Sequence, residues 1–482
     1  MPSYSLAVEP RTRLALFQRS LVQGRDTPLR SLLTDERIAD VFAEEAISFG
    51  DDEDAVYTPA VALWGLLSQV FFKAEQRSCL AAVVRIAALW LSLGRAVSST
   101  NTGAYCRARR RISAEVLRKL TRRVADSAIE RAQQGGAAAD AGIGPASEYS
   151  GGRLILVDGF TVTAADTPEN QAEYPQNPAQ QSGLGFPILR GVVLTCLRSG
   201  LLLDAELGPY SGKGSGETAL LWKLLDVLRS GDVVVADSYY CTYWLLAACR
   251  ARGVHVVMRN HHLRDAAPAD ARRLVKGQCL ASWPRPPRPT WMDEATYATM
   301  PATLEVRLVE SVNDVPGQRT EKLVLATTLL DHRAYDDRWL AGLYRGRWRV
   351  ELDIRAIKVT LGMDVLRART PEMVRTELWS CLTVYNLLRE SMLEAALQAK
   401  CECRSLSLTA TLQLLGNLWL AGAIHRLGNE AHELRLTHQV AIRVGNRPNR
   451  NEPRENKRRP KLIKLMTKPR AESRARSAQL LK

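Results

Sequence analysis

Apolar residues recur at three- and four-residue spacing through the first part of the chain. The clearest stripes of Leu, Val and Ala lie in residues 30–42, 59–72 and 79–93, and each stripe predicts an amphipathic helix. We therefore expect a helical domain over residues 1–132. A run rich in Ala, Gly and Ser follows at residues 133–152, and this composition is typical of a linker.

The periodicity changes after this linker. The runs RLILV, RGVVLTCL and LLLDAEL are short and β-rich, and a helical stretch, the buried run VVVA, a second helix and a further strand follow them. This order predicts an α/β fold with a mixed sheet over residues 153–260. Residues 261–330 interrupt it with a proline-rich stretch and two β-like runs, 303–310 and 322–329, which indicate a β-rich insertion.

Helical patterns return in residues 331–400, which we assign to the second part of the α/β fold. Thr370 followed by Pro371 predicts the start of a long helix, because these residues suit the cap and the first helical position. Residues 401–440 predict a helical C-terminal region. Residues 441–482 hold 14 Lys and Arg residues and 3 Glu residues, so we expect a basic, disordered tail that binds a polyanion.

The net charge of the whole chain indicates which class of partner it binds. A formal net charge of +15 and a pI near 9.5 favour a polyanion, with nucleic acid the first candidate and an anionic membrane surface the second. The chain starts without a signal-peptide pattern, and its most apolar run, residues 81–93, is too short to span a bilayer. We therefore expect a soluble, intracellular protein. Its nine cysteines form no CxxC pair, which favours buried free thiols.

Two aspartates stand beside the predicted buried strands. Asp158 directly follows the run LILV, and Asp237 directly follows the run VVVA. We therefore expect both at the carboxyl ends of strands, where open α/β sheets place their chemistry. If the two strands are neighbours, the two carboxylates converge. Either aspartate could instead begin a turn or cap a helix.

A charged stretch, YRGRWRVELDIRAIK, occupies residues 344–358. Within one predicted helix, its residues Tyr344, Arg347, Glu351 and Lys358 fall on one face. A carboxylate flanked by cations suits a metal-bound phosphodiester, because the acid can hold the metal while the cations hold phosphate oxygens. The alternative is a solvated face with ion pairs between successive turns.

Asp158, Asp237 and Glu351 together supply three carboxylates. Three acids around one site can hold two divalent metal ions, and Mg²⁺ or Mn²⁺ prefers such oxygen ligands. One ion would activate a water or a 3′-hydroxyl group, and the other would stabilise the leaving oxygen of a phosphodiester. This set therefore predicts metal-dependent phosphoryl transfer without a protein nucleophile.

A second basic segment lies in residues 101–124, where Ser113 is predicted to cap a helix. Such a basic turn and helix can bind a DNA backbone, or it can be a solvated face of a helical bundle. The sequence leaves both interpretations open. The segment carries eight cationic residues: Arg107, Arg109, Arg110, Arg111, Arg118, Lys119, Arg122 and Arg123.

With these residues in this order, the chain resembles the bacterial insertion-sequence DDE transposases of the group marked by Tyr-x2-Arg-x3-Glu-x6-Lys. Tyr344, Arg347, Glu351 and Lys358 complete that signature. The resemblance implies an RNase H-like catalytic core interrupted by a β-rich insertion. It also implies Mg²⁺-dependent cleavage at the ends of a mobile element and strand transfer into target DNA.

The resemblance further implies partners and residue roles. The partners are double-stranded DNA, as terminal inverted repeats and as target, and a second copy of the chain in a dimeric synaptic complex; the location is cytoplasmic and nucleoid-associated. An insertion-domain tryptophan stacks on a flipped base in relatives that cleave through a hairpin, and Trp291 is the first candidate and Trp283 the second. The implied catalytic metal ligands are Asp158, Asp237 and Glu351, and the implied DNA contacts are Tyr344, Arg347, Lys358 and Arg259.

Two other functions share parts of this pattern. A catalytically silent DNA-binding derivative of a transposase would be favoured by an altered carboxylate, yet all three acids are present. A structure-specific nuclease on the same core would need neither the helical N-terminal domain nor the β insertion, and the sequence predicts both.

Overall fold

The computed structural model describes most of the chain between residues 33 and 444. The described residues are 33, 35–47, 49, 56–72, 74–92, 101–134, 149, 151–313, 321–425 and 429–444, with a few positions between 468 and 479. Most of the predicted linker and nearly all of the predicted basic tail lie outside the described residues. The domain boundaries stay predictions.

Helices make up the described part of the N-terminal region. The helices predicted at residues 59–72 and 79–93 are confirmed, and the first stripe forms a helix shifted slightly towards the C-terminus. Ser113 caps a helix as predicted, since its Oγ accepts a hydrogen bond from the backbone N–H of Val116 at 3.2 Å. The helices are α1 (Asp35–Glu44), α2 (Pro59–Phe71), α3 (Cys79–Ser92), α4 (Thr102–Arg110) and α5 (Ala114–Gln134).

A nine-stranded sheet forms the centre of the rest of the chain, in the order β3-β2-β1-β4-β5-β9-β8-β7-β6. β2 pairs antiparallel with both β1 and β3, whereas β4 runs parallel to β1 and to β5, so the predicted mixed sheet is confirmed. The strands are β1 (Leu154–Thr163), β2 (Ile188–Cys196), β3 (Leu202–Pro209), β4 (Val233–Ala236), β5 (His255–Arg259), β6 (Arg272–Val275), β7 (Gln278–Pro284), β8 (Thr303–Asn313) and β9 (Glu321–Thr327).

The residues predicted as a β-rich insertion continue this same sheet. The two predicted β-like runs form β8 and β9, and β9 pairs antiparallel with β5. The sequence analysis does not predict β6 and β7. β6 is short and polar. β7 runs into the proline-rich stretch, and because proline disfavours strands, the later prolines argue against a strand at this position.

The remaining helices surround the sheet. α12 begins as predicted, with Pro371 at its first position and Thr370 Oγ1 accepting a hydrogen bond from the N–H of Met373 at 3.4 Å. α12 packs against α5, α2 and β3. Its buried apolar side chains include Leu378, Leu382, Tyr385, Leu388 and Met392. The helices are α6 (Pro168–Glu173), α7 (Glu217–Trp222), α8 (Tyr243–Ala251), α9 (Glu294–Thr299), α10 (Asp337–Arg345), α11 (Trp348–Arg355), α12 (Pro371–Gln398), α13 (Leu408–His425) and α14 (Asn429–Ala441).

Two further expectations can be compared with the structure. All nine cysteines are free thiols, as predicted, and six of them are buried, whereas Cys79, Cys106 and Cys401 are partly exposed. Among the described helices, none has the length and apolar character needed to cross a membrane.

One carboxylate of α12 is buried in the helical layer. The side chain of Glu390 is 1% exposed and forms an ion pair with Arg131 of α5. Its Oε2 atom has no hydrogen-bond partner among the described residues. Burial raises the pKa of Glu390 to about 8, even though the charge of Arg131 lowers it.

This raised pKa predicts a pH-dependent contribution to stability. Because the pKa is higher in the folded chain than its ordinary value of 4.5, the favourable contribution is present below about pH 4.5 and is lost as the pH rises through about 8. Glutamine does not titrate, so we expect the free energy of unfolding of Glu390→Gln, relative to wild type, to increase from pH 5 to pH 8.5. Urea denaturation at several pH values measures this difference.

The matched control is Glu372→Gln, which removes an exposed carboxylate from the first turn of the same helix. A difference between Glu390→Gln and wild type that stays constant over this pH range would show that burial does not perturb Glu390.

Candidate active site

The pairing of β1 with β4 brings Asp158 and Asp237 together. The two strands are parallel neighbours, with Leu156 opposite Val235. Continuing this register by two residues places Asp158 level with Asp237, which directly follows Ala236 at the end of β4. The sequence analysis expects the two carboxylates to converge if their strands are neighbours, and the strands are neighbours.

Asp158 does not lie at the end of its strand, so that expectation is wrong. β1 continues to Thr163, and Asp158 pairs with Val193 of β2. The strand extends past the apolar run because its antiparallel partner β2 continues beyond the last residue of β4, Ala236, and because Thr163 also pairs with Val365. Asp158 is thus held in the middle of a paired strand.

Glu351 reaches the same place from α11, which packs against β1. The guanidinium of Arg347 lies between two of the acids. One of its nitrogens donates to Glu351 Oε1 at 2.9 Å, and another lies 3.9 Å from Asp158 Oδ2. All three side chains are partly exposed. A single cation therefore bridges a strand carboxylate and a helix carboxylate.

The pKa of Asp158 shows that the three carboxylates act on one another. Burial raises the pKa of Asp158 to about 6. The backbone N–H of Gly159, which donates to Asp158 Oδ1 at 2.8 Å, and the charge of Arg347 lower it. The charges of Glu351 and Asp237 raise it again. A cation placed among these acids would relieve their mutual repulsion.

The stretch of residues 344–358 is not the single helix that the sequence predicts. Tyr344 belongs to α10, whose cap is Gly346, and Glu351 belongs to α11. Gly346 is a poor helix former, and a Cβ there would lie 3.0 Å from a methyl group of Leu197. Lys358 lies in a π-helical turn, which rotates it away from the face calculated for an ideal α-helix.

Tyr344 and Arg259 lie beside the carboxylates. Burial raises the pKa of Tyr344, the charges of Arg347 and Arg259 lower it, and the charge of Asp237 raises it. These residues therefore share one electrostatic environment. Lys358 is half-buried, and none of its described contacts joins it to this group.

The two candidate tryptophans differ in exposure. Trp283 lies in β7 and is 9% exposed, with the guanidinium carbon of Arg264 4.1 Å from its ring centre. Trp291 is 54% exposed and contacts the ring of Trp222 edge-on at 5.2 Å. An exposed ring can stack on a base, which favours Trp291, but a stacking role for either residue stays a prediction.

Glu217 and Tyr240 are neighbours of the site that the sequence analysis does not find. The hydroxyl of Tyr240 donates to Glu217 Oε2 at 2.9 Å. Burial raises the pKa of Tyr240, and the charges of Glu217, Asp158 and Asp237 raise it further. A Cβ at Gly159 would lie 2.2 Å from the Glu217 carboxyl carbon, so Gly159 leaves room for that carboxylate. In the sequence, Glu217 stands 59 positions after Asp158 without a motif that joins them.

The donor set fits a divalent cation in its chemistry. Carboxylate oxygens are the ligands that Mg²⁺ and Mn²⁺ prefer, and the candidate acids repel one another in the absence of a cation. In this conformation no three His, Cys, Asp or Glu side chains of the described chain are close enough to hold one ion together. Arg347 lies in the gap between Asp158 and Glu351, so a metal ion there would require its guanidinium to move.

A buried ion cluster positions the helix that carries Glu351. Asp353, two residues further along α11, is fully buried, and its carboxylate accepts hydrogen bonds from Arg389 and Arg404 at 2.8 Å. Arg404 also donates to the backbone carbonyl of Leu197 at 2.6 Å. One carboxylate thus joins α11 to α12 and to the end of β2.

The comparisons with known proteins agree with this geometry. A protein-family model described as "Transposase DDE domain" matches residues 149–387. Residues 149–387 are thus similar to a transposase DDE domain. The matched region contains Asp158, Asp237 and Glu351.

Over 259 residues, the chain is 27% identical to the transposase InsG for insertion sequence element IS4 from Escherichia coli (strain K12). That alignment covers 52% of this chain and 55% of the relative, so the match spans about half the length of the curated relative. Both matches are therefore to transposases, one to a DDE domain and the other to the transposase of IS4.

Among solved structures, a piggyBac transposase synaptic complex with hairpin DNA is similar over 88% of this chain and 85% of that chain. The TM-score is 0.42 and the sequence identity is 10%, values too low to establish a shared fold.

We expect Asp353→Ala to destabilise the protein strongly. The substitution leaves two buried guanidinium groups without their carboxylate, and breaking a buried ion pair in this way costs about 3–5 kcal/mol of the free energy of unfolding. Urea denaturation measures the loss.

The control is Asp226→Ala, because Asp226 is 93% exposed and pairs with Arg252 at the surface. Loss of that pair should change the free energy of unfolding by less than about 1 kcal/mol. Equal effects of the two substitutions would show that the cluster around Asp353 does not hold α11 in place.

Proposed function

We propose that the protein is a DNA transposase that moves an insertion sequence by a cut-and-paste reaction. It hydrolyses the DNA at the ends of the element and then transfers the 3′-hydroxyl ends into target DNA. The observation that carries this proposal is that the pairing of β1 with β4 sets Asp158 level with Asp237, while Arg347 joins Asp158 to Glu351, in a region similar to a transposase DDE domain.

The same three carboxylates would hold the metal ions, two Mg²⁺ ions that Mn²⁺ can replace. When bound, the ions would supply activation of the attacking oxygen and stabilisation of the leaving oxygen. In the first step, a water oxygen bonds to phosphorus and the bond from phosphorus to the 3′-oxygen breaks. In the second step, the freed 3′-oxygen bonds to a phosphorus of the target, the bond from that phosphorus to the target's own 3′-oxygen breaks, and the target strand leaves with a 3′-hydroxyl. The carboxylates orient these groups, and no side chain forms a covalent intermediate.

The phenol and the two guanidinium groups beside the carboxylates would bind the transposon end. Tyr344, Arg347 and Arg259 are grouped next to Asp237, which suits contacts to the phosphates that flank the reacting one. Lys358, in the π-helical turn that follows α11, would contact the DNA outside this group of residues. Trp291, exposed on the residues after β7, is the first candidate for stacking on a flipped base and Trp283 the second.

The architecture supports the same proposal. The order β3-β2-β1-β4-β5, with antiparallel pairs among the first three strands and parallel pairs after them, supports an RNase H-like core. In this scheme residues 1–132 bind DNA and residues 261–330 are the insertion. Two copies of the chain would hold both terminal inverted repeats in a synaptic complex, in the bacterial cytoplasm at the nucleoid.

A catalytically silent DNA-binding derivative is the alternative function. It is favoured by the position of Arg347, whose guanidinium bridges Asp158 and Glu351 where a metal ion would lie. Metal-dependent cleavage distinguishes the two functions.

We expect the wild-type protein to nick DNA at the boundary of the inverted repeats that flank its gene, in the presence of Mg²⁺ or Mn²⁺. Asp237→Ala and Glu351→Ala should abolish nicking while leaving DNA binding largely intact, because each removes a metal ligand. Gel analysis of end-labelled DNA measures cleavage, and a mobility shift measures binding.

Asp226→Ala is the control, since its carboxylate is exposed and lies before β4, at the opposite end of that strand from Asp237. Full cleavage by Glu351→Ala would remove Glu351 from the metal ligands. Specific binding without cleavage by the wild type would establish the silent derivative.

Lys358→Ala should weaken binding to the transposon end. A lost phosphate contact reduces the slope of the logarithm of affinity against the logarithm of salt concentration by about 0.9. Fluorescence anisotropy between 50 and 200 mM salt measures affinity and slope. If both are unchanged, Lys358 does not contact the phosphate backbone.

A further inference from the structure

Arginines from three segments of the chain line a cleft of about 730 Å³ between the N-terminal helices and the start of α12. The lining comes from α2, from the residues between α2 and α3, from the end of α4 and from residues 367–380. Two glutamates, Glu372 and Glu377, are also part of it. The arginines are Arg77, Arg109, Arg110, Arg367 and Arg369.

The glutamates leave much of this positive charge without a partner. Glu377 Oε2 accepts the backbone N–H groups of Arg367 and the next residue, both at 2.8 Å. Within the described chain, the exposed side chains of Arg110, Arg367 and Arg369 form no ion pair with Glu372 or any other acid. The first turn of α12, which also lines the cleft, adds the positive end of a helix dipole.

Arg109 adds an unmet hydrogen-bond donor at the same place. One of its guanidinium nitrogens donates to Gln69 Oε1 at 3.2 Å. Its Nε atom is buried and has no hydrogen-bond partner in the described structure. A buried donor without an acceptor is unfavourable, so an incoming anion would be stabilised here.

The other half of the basic segment at residues 101–124 is already paired within the chain. Arg118 and Arg122 of α5 both bind Asp204. Lys119 and Arg123 bind Glu44 of α1. Ion pairs within the chain, which neither interpretation of this segment predicts, therefore engage these cations of α5, whereas the end of α4 opens into the cleft.

The cleft is joined directly to the strand that carries Asp158. The backbone N–H of Thr163 donates to the carbonyl of Asp364 at 3.1 Å, and the N–H of Leu366 donates to the carbonyl of Thr163 at 2.8 Å. Thr163 lies five residues beyond Asp158 on β1, a distance of about 17 Å at about 3.3 Å per residue.

We propose that this arginine cleft binds the phosphate backbone of double-stranded DNA, beyond the phosphodiester held at Asp158, Asp237 and Glu351. The inference rests on the proposed function, which supplies the DNA, and it names a second contact region outside the DDE residues. Arginine suits this role because its planar guanidinium binds phosphate oxygens in pairs.

The test uses a 30-base-pair duplex of mixed sequence and the full chain. Arg110→Ala combined with Arg369→Ala removes two exposed cations from opposite walls of the cleft. We expect the affinity in 0.1 M salt to fall by about 10- to 100-fold and the salt slope to fall by about 1.8. Fluorescence anisotropy measures both, and circular dichroism verifies the fold.

The matched control combines Arg229→Ala with Arg252→Ala. These arginines precede β4 and β5, at the opposite end of the parallel strands from Asp237, and each pairs with a surface aspartate. The control removes the same charge, so an equal loss of affinity and slope in both double variants would overturn the cleft proposal.

Cleavage separates this proposal from the proposed function. If the wild type binds DNA with the expected salt dependence and the cleft variant binds more weakly, the cleft is supported even if Mg²⁺ produces no cleavage, which would contradict the transposase. If the wild type cleaves and the cleft variant binds and cleaves equally well, the cleft proposal is overturned and the transposase remains.

Discussion

A buried ion pair between Arg153 and Asp232 fixes how β1 and β4 are paired. Asp232 accepts the backbone N–H of Arg153 at 2.9 Å and its side chain at 2.6 Å, immediately before the two strands begin. Both side chains are almost completely buried, so a slipped register would leave charges unpaired at a cost of several kcal/mol. A slip of one residue would also turn every side chain of β4 to the other face and separate Asp237 from Asp158.

The pairing of β1 with β4 and the packing of α11 bring negatively charged carboxylates close together in the candidate site. The acids gain their proximity from strand pairing and from the packing of α11, not from attraction for one another. Asp353 ties the inner side of α11 to buried arginines, whereas Arg347 on the outer side reaches the candidate acids. Two ion clusters of different burial thus share one helix. The buried cluster holds the helix in position, and the partly exposed one holds Arg347 beside Asp158 and Glu351.

The sequence predicts the parts of this arrangement that depend on local patterns. The buried runs before Asp158 and Asp237, and the cap at Thr370, are local signals, and the structure has strands and a helix there. Which strands pair with each other depends on residues far apart in the sequence, and no local pattern indicates it. For this reason the sequence ends β1 too early and treats residues 261–330 as separate from the sheet. The cluster that joins Asp353 to Arg404 spans 51 positions and leaves no pattern in the sequence.

The net charge can be read from the sequence, but the ion pairs that each charge forms depend on the folded chain. The net charge of +15 indicates a polyanionic partner, but it does not say which cations remain available to it. In the folded chain, the basic residues of segment 101–124 differ in their pairing. Asp204 and the acids of α1 form ion pairs with the cations of α5, whereas no described acid pairs with Arg110. A cation that is already paired contributes little to binding a phosphate, since the anion must first displace the carboxylate. The contacts proposed in the arginine cleft are therefore cations that folding leaves unpaired, and only the tertiary structure identifies them.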